Sequence, residues 1–166
     1  MQLVERYHNC STFNHIHAAA ALTLFAKLVQ RQRLPRAQLQ AWLDVLICVS
    51  AQQVHAARPR ELVNMLHAVA TLQDRAQLQP SSSHFVEHLI ADLESKVSTF
   101  NGHDVSNTLW ALATLYGSQH SHYDFIQACV REAGGRLSDL KSHELSNSLW
   151  ALATLCTDQR NHNHFI

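Results

Sequence analysis

The sequence predicts an all-α fold, an α-solenoid of tandem helical hairpins, and three observations carry that reading. First, Asn107-Thr108-Leu109-Trp110-Ala111-Leu112-Ala113-Thr114-Leu115 returns as Asn147-Ser148-Leu149-Trp150-Ala151-Leu152-Ala153-Thr154-Leu155. Fainter copies begin at Asn64 and Ala20, so four units follow one another at a period of about 40–44 residues. Second, apolar residues recur at helical spacing along the chain and nowhere alternate as in a half-buried strand. Third, 4 glycines and 3 prolines in 166 residues suit helices joined by short loops. Amphipathic hairpins of this kind cannot hide their apolar faces alone and must stack on neighbours.

Taken in order, Met1 to His8 (Leu3, Val4, Tyr7) reads as the last turns of a helix. Repeat one covers roughly 13–55. Its first helix is Phe13 to Gln32, ended by the run into Pro35, which cannot continue a helix interior. The second, Ala37 to Gln53, carries Leu39, Leu43, Leu46 and Ile47 at helical spacing. Repeat two, roughly 58–98, opens on Pro59, a favourable first-turn residue, with a first helix to about Gln73. Gln79-Pro80-Ser81-Ser82-Ser83 then reads as a linker, and His84 to Val97 as the partner helix. Repeat three, roughly 101–138, places helices at Gly102 to Tyr116 and His122 to Leu137. Repeat four, roughly 141–166, starts at Ser142 as N-cap, and its first helix ends near Cys156. Asn161 to Ile166 aligns with Ser121 to Ile126, the start of a second helix. Repeats are cut at both ends, which reads as a fragment of a longer array.

Composition narrows the function. Lys plus Arg and Asp plus Glu both number 13, a formal net charge of zero. That argues against gripping nucleic acid mainly by phosphate neutralisation. Cys10, Cys48, Cys129 and Cys156 form no C-x-x-C pair, and their apolar helical settings predict buried, reduced thiols. No apolar run is long enough to span a membrane, and Met1 to Cys10 has neither a secretory core nor transit-peptide character.

At 100° per residue, Val105, Leu109, Leu112 and Tyr116 share one stripe, the expected core face. The opposite stripe holds His103, Asn107, Trp110 and Thr114. It recurs as Arg60, Asn64, His67 and Thr71 in repeat two and as His143, Asn147, Trp150 and Thr154 in repeat four. Repeat one gives the weaker Ile16, Ala20, Thr23 and Lys27. A base or guanidinium, an amide, an aromatic ring and a hydroxyl in each unit suit an extended polymer: rings stack on bases, and amides read hydrogen-bonding edges. The alternative is structural, since a solenoid Trp often packs between repeats and a recurrent Asn often ties down a loop backbone. Ala111 and Ala113 are small for close helix approach, and Ser106 and Ser146 point to no role. Lys27, Arg31, Arg33 and Arg36 are the one basic concentration, either phosphate contacts or a solvated helix end.

Leu145 to Leu155 and its twin from Val105 resemble the first-helix signature of the octotricopeptide repeat proteins of green algae. The related FAST-kinase-like, Leu-rich proteins, often ending in a RAP domain, share it. Phe13-Asn14-His15-Ile16-His17 and the Ala/Leu-rich helix after it resemble opening segments of such algal proteins. The resemblance implies a superhelix that binds single-stranded organellar RNA in processing, stability or translation, in a chloroplast or mitochondrion. It also implies other proteins of an organellar ribonucleoprotein as partners. Carried over by position, the RNA-facing residues are those of the stripe. The family's proline-rich entry to the second helix, closing on Trp, survives only as Pro35 to Trp42, and no RAP-like segment is present.

His84-Phe85-Val86-Glu87-His88 matches the H-x-x-E-H zinc-protease pattern, but its counterpart at His122 to Ile126 lacks the second His and no third-ligand context follows. The H-x-H pairs His15/His17, His120/His122 and His162/His164 fall at helix edges or loops. No nucleophile elbow, P-loop or dinucleotide fingerprint occurs. The expectation is therefore an RNA-binding helical-repeat protein and not an enzyme, with no cofactor, no metal and no membrane. The alternative is an armadillo- or HEAT-like scaffold for protein–protein interaction, although two helices per unit fit poorly with the three of armadillo repeats.

Overall fold

The computed structural model describes residues 13–32, 34–76, 80–117 and 121–156. Among them the chain is all helical, with no strand, in two compact units, Met1–Ser95 and Lys96–Ile166. The expected helix over Met1 to His8 and the repeat-four segment Asn161 to Ile166 lie outside the described residues.

The first unit contains α1 (His15–Arg31), α2 (Arg36–Ala51), α3 (Pro59–Ala76) and α4 (Pro80–Glu94). Asn14 starts α1: its Oδ1 accepts from Ile16 N at 3.0 Å and His17 N at 3.4 Å, satisfying two of the donors every helix start leaves open. Gln32 is extended, and Pro35 keeps the chain from resuming until Arg36. Helix α1 packs on α3, α2 packs on α4, and each hairpin closes on itself. Leu22, Leu43, Leu62, Leu66, Leu89 and Leu93 are fully buried between them. Each contributes about 1.5–3 kcal/mol of hydrophobic stabilisation. Phe25 and Trp42 meet edge-on at 6.3 Å across the first hairpin.

The second unit contains α5 (Gly102–Tyr116), α6 (Tyr123–Gly134) and α7 (Ser142–Leu155). Helix α5 packs along α7 and against α6. Val105, Leu109 and Leu112 form the buried stripe of α5, and Phe100 and Phe125 meet edge-on at 6.5 Å. Leu149, the counterpart of buried Leu109, is exposed on α7. Its expected partner helix falls among residues 157–166, outside those described.

A short 3₁₀ turn follows each second helix, at Val54–Ala56, Val97–Thr99 and Leu137–Asp139. One extended residue comes next (Ala57, Phe100 or Leu140), leading the chain toward the following first helix. These turns shorten the second helices expected to reach Val97 and Leu137, which end at Glu94 and Gly134. Pro80 does not sit in a linker but opens α4, where a missing N–H costs nothing. Ser142 is the first helical residue of α7 and Lys141 its N-cap. Cys129 is buried as expected, but Cys48 and Cys156 are exposed, and none of the three is in a disulfide; Cys10 lies outside the described residues. Among the described residues no helix is long and apolar enough to cross a membrane.

Candidate functional site

Each first helix is started by the side chain at its third position, which reaches back to the N-cap N–H. Glu61 Oε2 accepts from Arg58 N at 3.2 Å, Asp104 Oδ2 from Asn101 N at 3.2 Å, and Glu144 Oε2 from Lys141 N at 2.9 Å. In α1 the same place is held by His17, whose Nδ1 lies 3.4 Å from Asn14 N. This cap, reciprocal only where Asn14 and Asn101 also accept from the N–H of the third residue, fixes where each helix begins and so fixes which residues share its outer face. The sequence carries it as an acidic residue three before each Asn of the stripe.

In the first unit the stripe residues of α1 and α3 come together. Ile16, Ala20, Thr23 and Leu24 on α1 face Arg60, Glu61 and Asn64 on α3 across a groove of about 450 Å³, with Ala19 in its floor. Arg60 is exposed, and Asn64, His67 and Thr71 are half-buried. The walls are chiefly apolar, with one guanidinium, one carboxylate and one amide at the rim.

In the second unit the stripe lies on α5 and α7. Trp110 is half-buried even with α7 packed on α5, and Trp150 is 48% exposed. Their rings stand 6.4 Å apart, 33° from parallel. Asn107 Nδ2 lies 3.1 Å from His103 Nε2, one turn back on the same helix. Exposed His143 approaches the Glu144 carboxylate at 3.8 Å. Among the described residues no hydrogen bond engages the side-chain amides of Asn64 or Asn147. Among the described residues none of the three asparagines ties down a loop backbone, the structural alternative for them.

The hydroxyls differ from expectation. Thr71 Oγ1 donates to His67 O, Thr114 Oγ1 to Trp110 O, and Thr154 Oγ1 to Trp150 O, at 2.8, 2.8 and 2.9 Å. A threonine in a helix turns its hydroxyl onto the carbonyl four residues back because that rotamer is open and the acceptor is near. Their protons are spent inside the helix, so these residues offer a ligand acceptor lone pairs and a methyl group only.

Ser106 has a role the sequence reading missed. It is fully buried, and its Oγ donates to Glu144 O at 2.9 Å, joining α5 to α7. Ser148 donates to the same carbonyl at 2.8 Å. Of the basic residues, Lys27 and Arg31 are exposed one turn apart on α1, Arg36 is exposed at the start of α2, and Arg33 lies outside the described residues.

Comparison of the chain with protein-family models, with curated proteins and with solved structures gives no match.

Proposed function

We propose that this chain is an α-solenoid segment that binds single-stranded RNA along the outer stripe of its first helices, each repeat meeting a successive stretch of the strand. In that reading Trp110 and Trp150 supply stacking surface, Asn64, Asn107 and Asn147 read base edges, and Arg60, His103 and His143 lie toward the backbone. The observation that carries it is the openness of the stripe: Trp150 is exposed, Asn64, Asn107 and Asn147 are only half-buried, and among the described residues the side-chain amides of Asn64 and Asn147 meet no hydrogen-bonding group of the fold. Buried asparagines bonded to loops would have supported packing instead. The likeness of the last two first helices to octotricopeptide repeats extends the proposal to organellar RNA processing, stability or translation.

The test is selection from a pool of single-stranded RNAs, followed by affinity and melting measurements on variants. Wild type enriches a short sequence. Trp110→Ala and Trp150→Ala each weaken binding about 5- to 160-fold, the equivalent of about 1–3 kcal/mol per stacked base. Asn107→Ala with Asn147→Ala weakens it further while the melting curve stays near wild type. Failure to enrich any RNA at moderate salt returns the stripe to the scaffold alternative. A large melting drop in the asparagine variants would assign those residues to packing.

A further inference from the structure

Away from the stripe, three donor side chains meet between the 3₁₀ turn at Val54–Ala56 and α4. His55 is on the turn; His88 and Asp92 lie one helical turn apart on α4. His55 Nε2 and His88 Nε2 are 3.2 Å apart, and the rings stand 72° from parallel. Asp92 Oδ2 lies 3.1 Å from His55 Nδ1. One donor atom from each residue falls within 4.8 Å of the others.

We infer that His55, His88 and Asp92 form a binding site for a divalent transition metal, with zinc the best chemical match. Zinc takes imidazole nitrogen at about 2.0–2.1 Å and carboxylate oxygen at about 2.0–2.2 Å in tetrahedral geometry, which places neighbouring ligand atoms about 3.3–3.4 Å apart. The two Nε2 atoms already stand at close to that spacing. Two neutral imidazoles have one good way to meet at this distance, N–H to lone pair; a cation between two lone pairs is the other. Asp92 prepares His55 for the second, because a carboxylate on Nδ1 holds the proton there and leaves the Nε2 lone pair of His55 turned toward His88, where a cation can take the place of the His88 N–H. The His55 side chain is 78% exposed and the Asp92 side chain 14%. A turn of the His55 ring therefore meets little resistance, and the carboxylate can join as third ligand. The fourth tetrahedral position opens to solvent. Mixed nitrogen and oxygen donors suit zinc over the all-oxygen shells of calcium and magnesium.

The repeats themselves argue that this cluster is not a packing device. At the matching places of the next unit stand Ser98, Ala128 and Glu132, with only the carboxylate kept. The turn and helix form there without the imidazoles. The cluster also differs from the H-x-x-E-H reading of the same helix, since His84 is no part of it.

The experiment is calorimetric titration of the whole chain with zinc chloride, with thermal melts beside it. Wild type takes up one zinc at this site, and its melting temperature rises in excess zinc. His55→Ser, the residue that the next unit carries, and His88→Ala each reduce affinity at least tenfold and abolish the melting shift, while both proteins melt normally without zinc. Asp92→Asn gives a smaller loss. His84→Ala, one turn away on the same helix, leaves uptake unchanged. Undiminished uptake by the His55→Ser/His88→Ala double variant would overturn the assignment. Equal loss from His84→Ala would do the same, reducing the effect to surface histidines in general.

Discussion

Thr108 is fully buried in α5, and its hydroxyl has no hydrogen-bond partner among the described residues. Two positions earlier, Ser106 is equally buried but donates to the Glu144 carbonyl. The same chemistry thus stabilises at one place and costs at the other, since a buried hydroxyl without a partner forfeits its hydration and gains nothing for it. Thr108→Val keeps the branched shape and removes the orphaned oxygen, so it is expected to raise stability by about 1 kcal/mol. Chemical denaturation reads this directly, as a higher midpoint at unchanged slope; a lower midpoint would reveal a partner for the hydroxyl. This contrast was not legible in the sequence. Helical spacing puts Ser106 and Thr108 on either flank of Asn107, but burial of Ser106 depends on α7 arriving beside it, 38 residues further on. Asn107 and Trp110 were legible, because their place opposite the apolar stripe of α5 depends on local periodicity alone.

Helix ends show the same division. Gly102–Tyr116 lies where apolar spacing put it, bounded by the Asn101 cap and by Gly117. Gly117 has φ 56° and ψ −129°, a positive-φ conformation open to glycine and resisted by a side chain, and its N–H closes the helix onto Ala113 O at 2.9 Å. Gly117→Ala is expected to cost about 1–2 kcal/mol through that backbone geometry alone, because an added Cβ would meet no atom within 4 Å. The melting temperature should fall by several degrees with affinity for RNA unchanged; a neutral result would mean the helix ends differently in solution. The 3₁₀ turns were harder to foresee. Val97 and Leu137 extend the apolar period of the second helices, and nothing local says that the chain tightens at Lys96 and Arg136 before turning to the next hairpin. Pro80 misled for the opposite reason: proline breaks a helix interior but begins one well, and the pattern around it fits either. The His55, His88 and Asp92 cluster was invisible because the turn brings together residues 33 apart in the chain.

For the molecule as a whole, the balance of 13 basic and 13 acidic side chains limits how RNA can be held. A protein that binds by displacing counterions from phosphates loses affinity steeply with salt, with a slope of log K on log salt of about −0.7 per contact for single strands. The permanently charged side chains that can serve phosphates in this reading are Arg60 at the rim of the groove and, at most, the basic concentration Lys27, Arg31, Arg33 and Arg36, while His103 and His143 add charge only when protonated. Five such contacts set a limiting slope of about −3.5. Between 50 and 200 mM salt, affinity should then fall by no more than about a hundredfold. Stacking on indole and amide contacts to base edges, which salt screens weakly, would supply the remainder. The measurement is a salt titration of binding to the enriched RNA at pH 8, where imidazoles ordinarily carry no charge. A slope markedly steeper than the limit would mean that cations outside this set do the binding, and the open asparagines and tryptophans would lose their assignment. A shallow slope, with Trp150→Ala weakening binding equally at both salt concentrations, would separate base stacking from charge as the source of affinity.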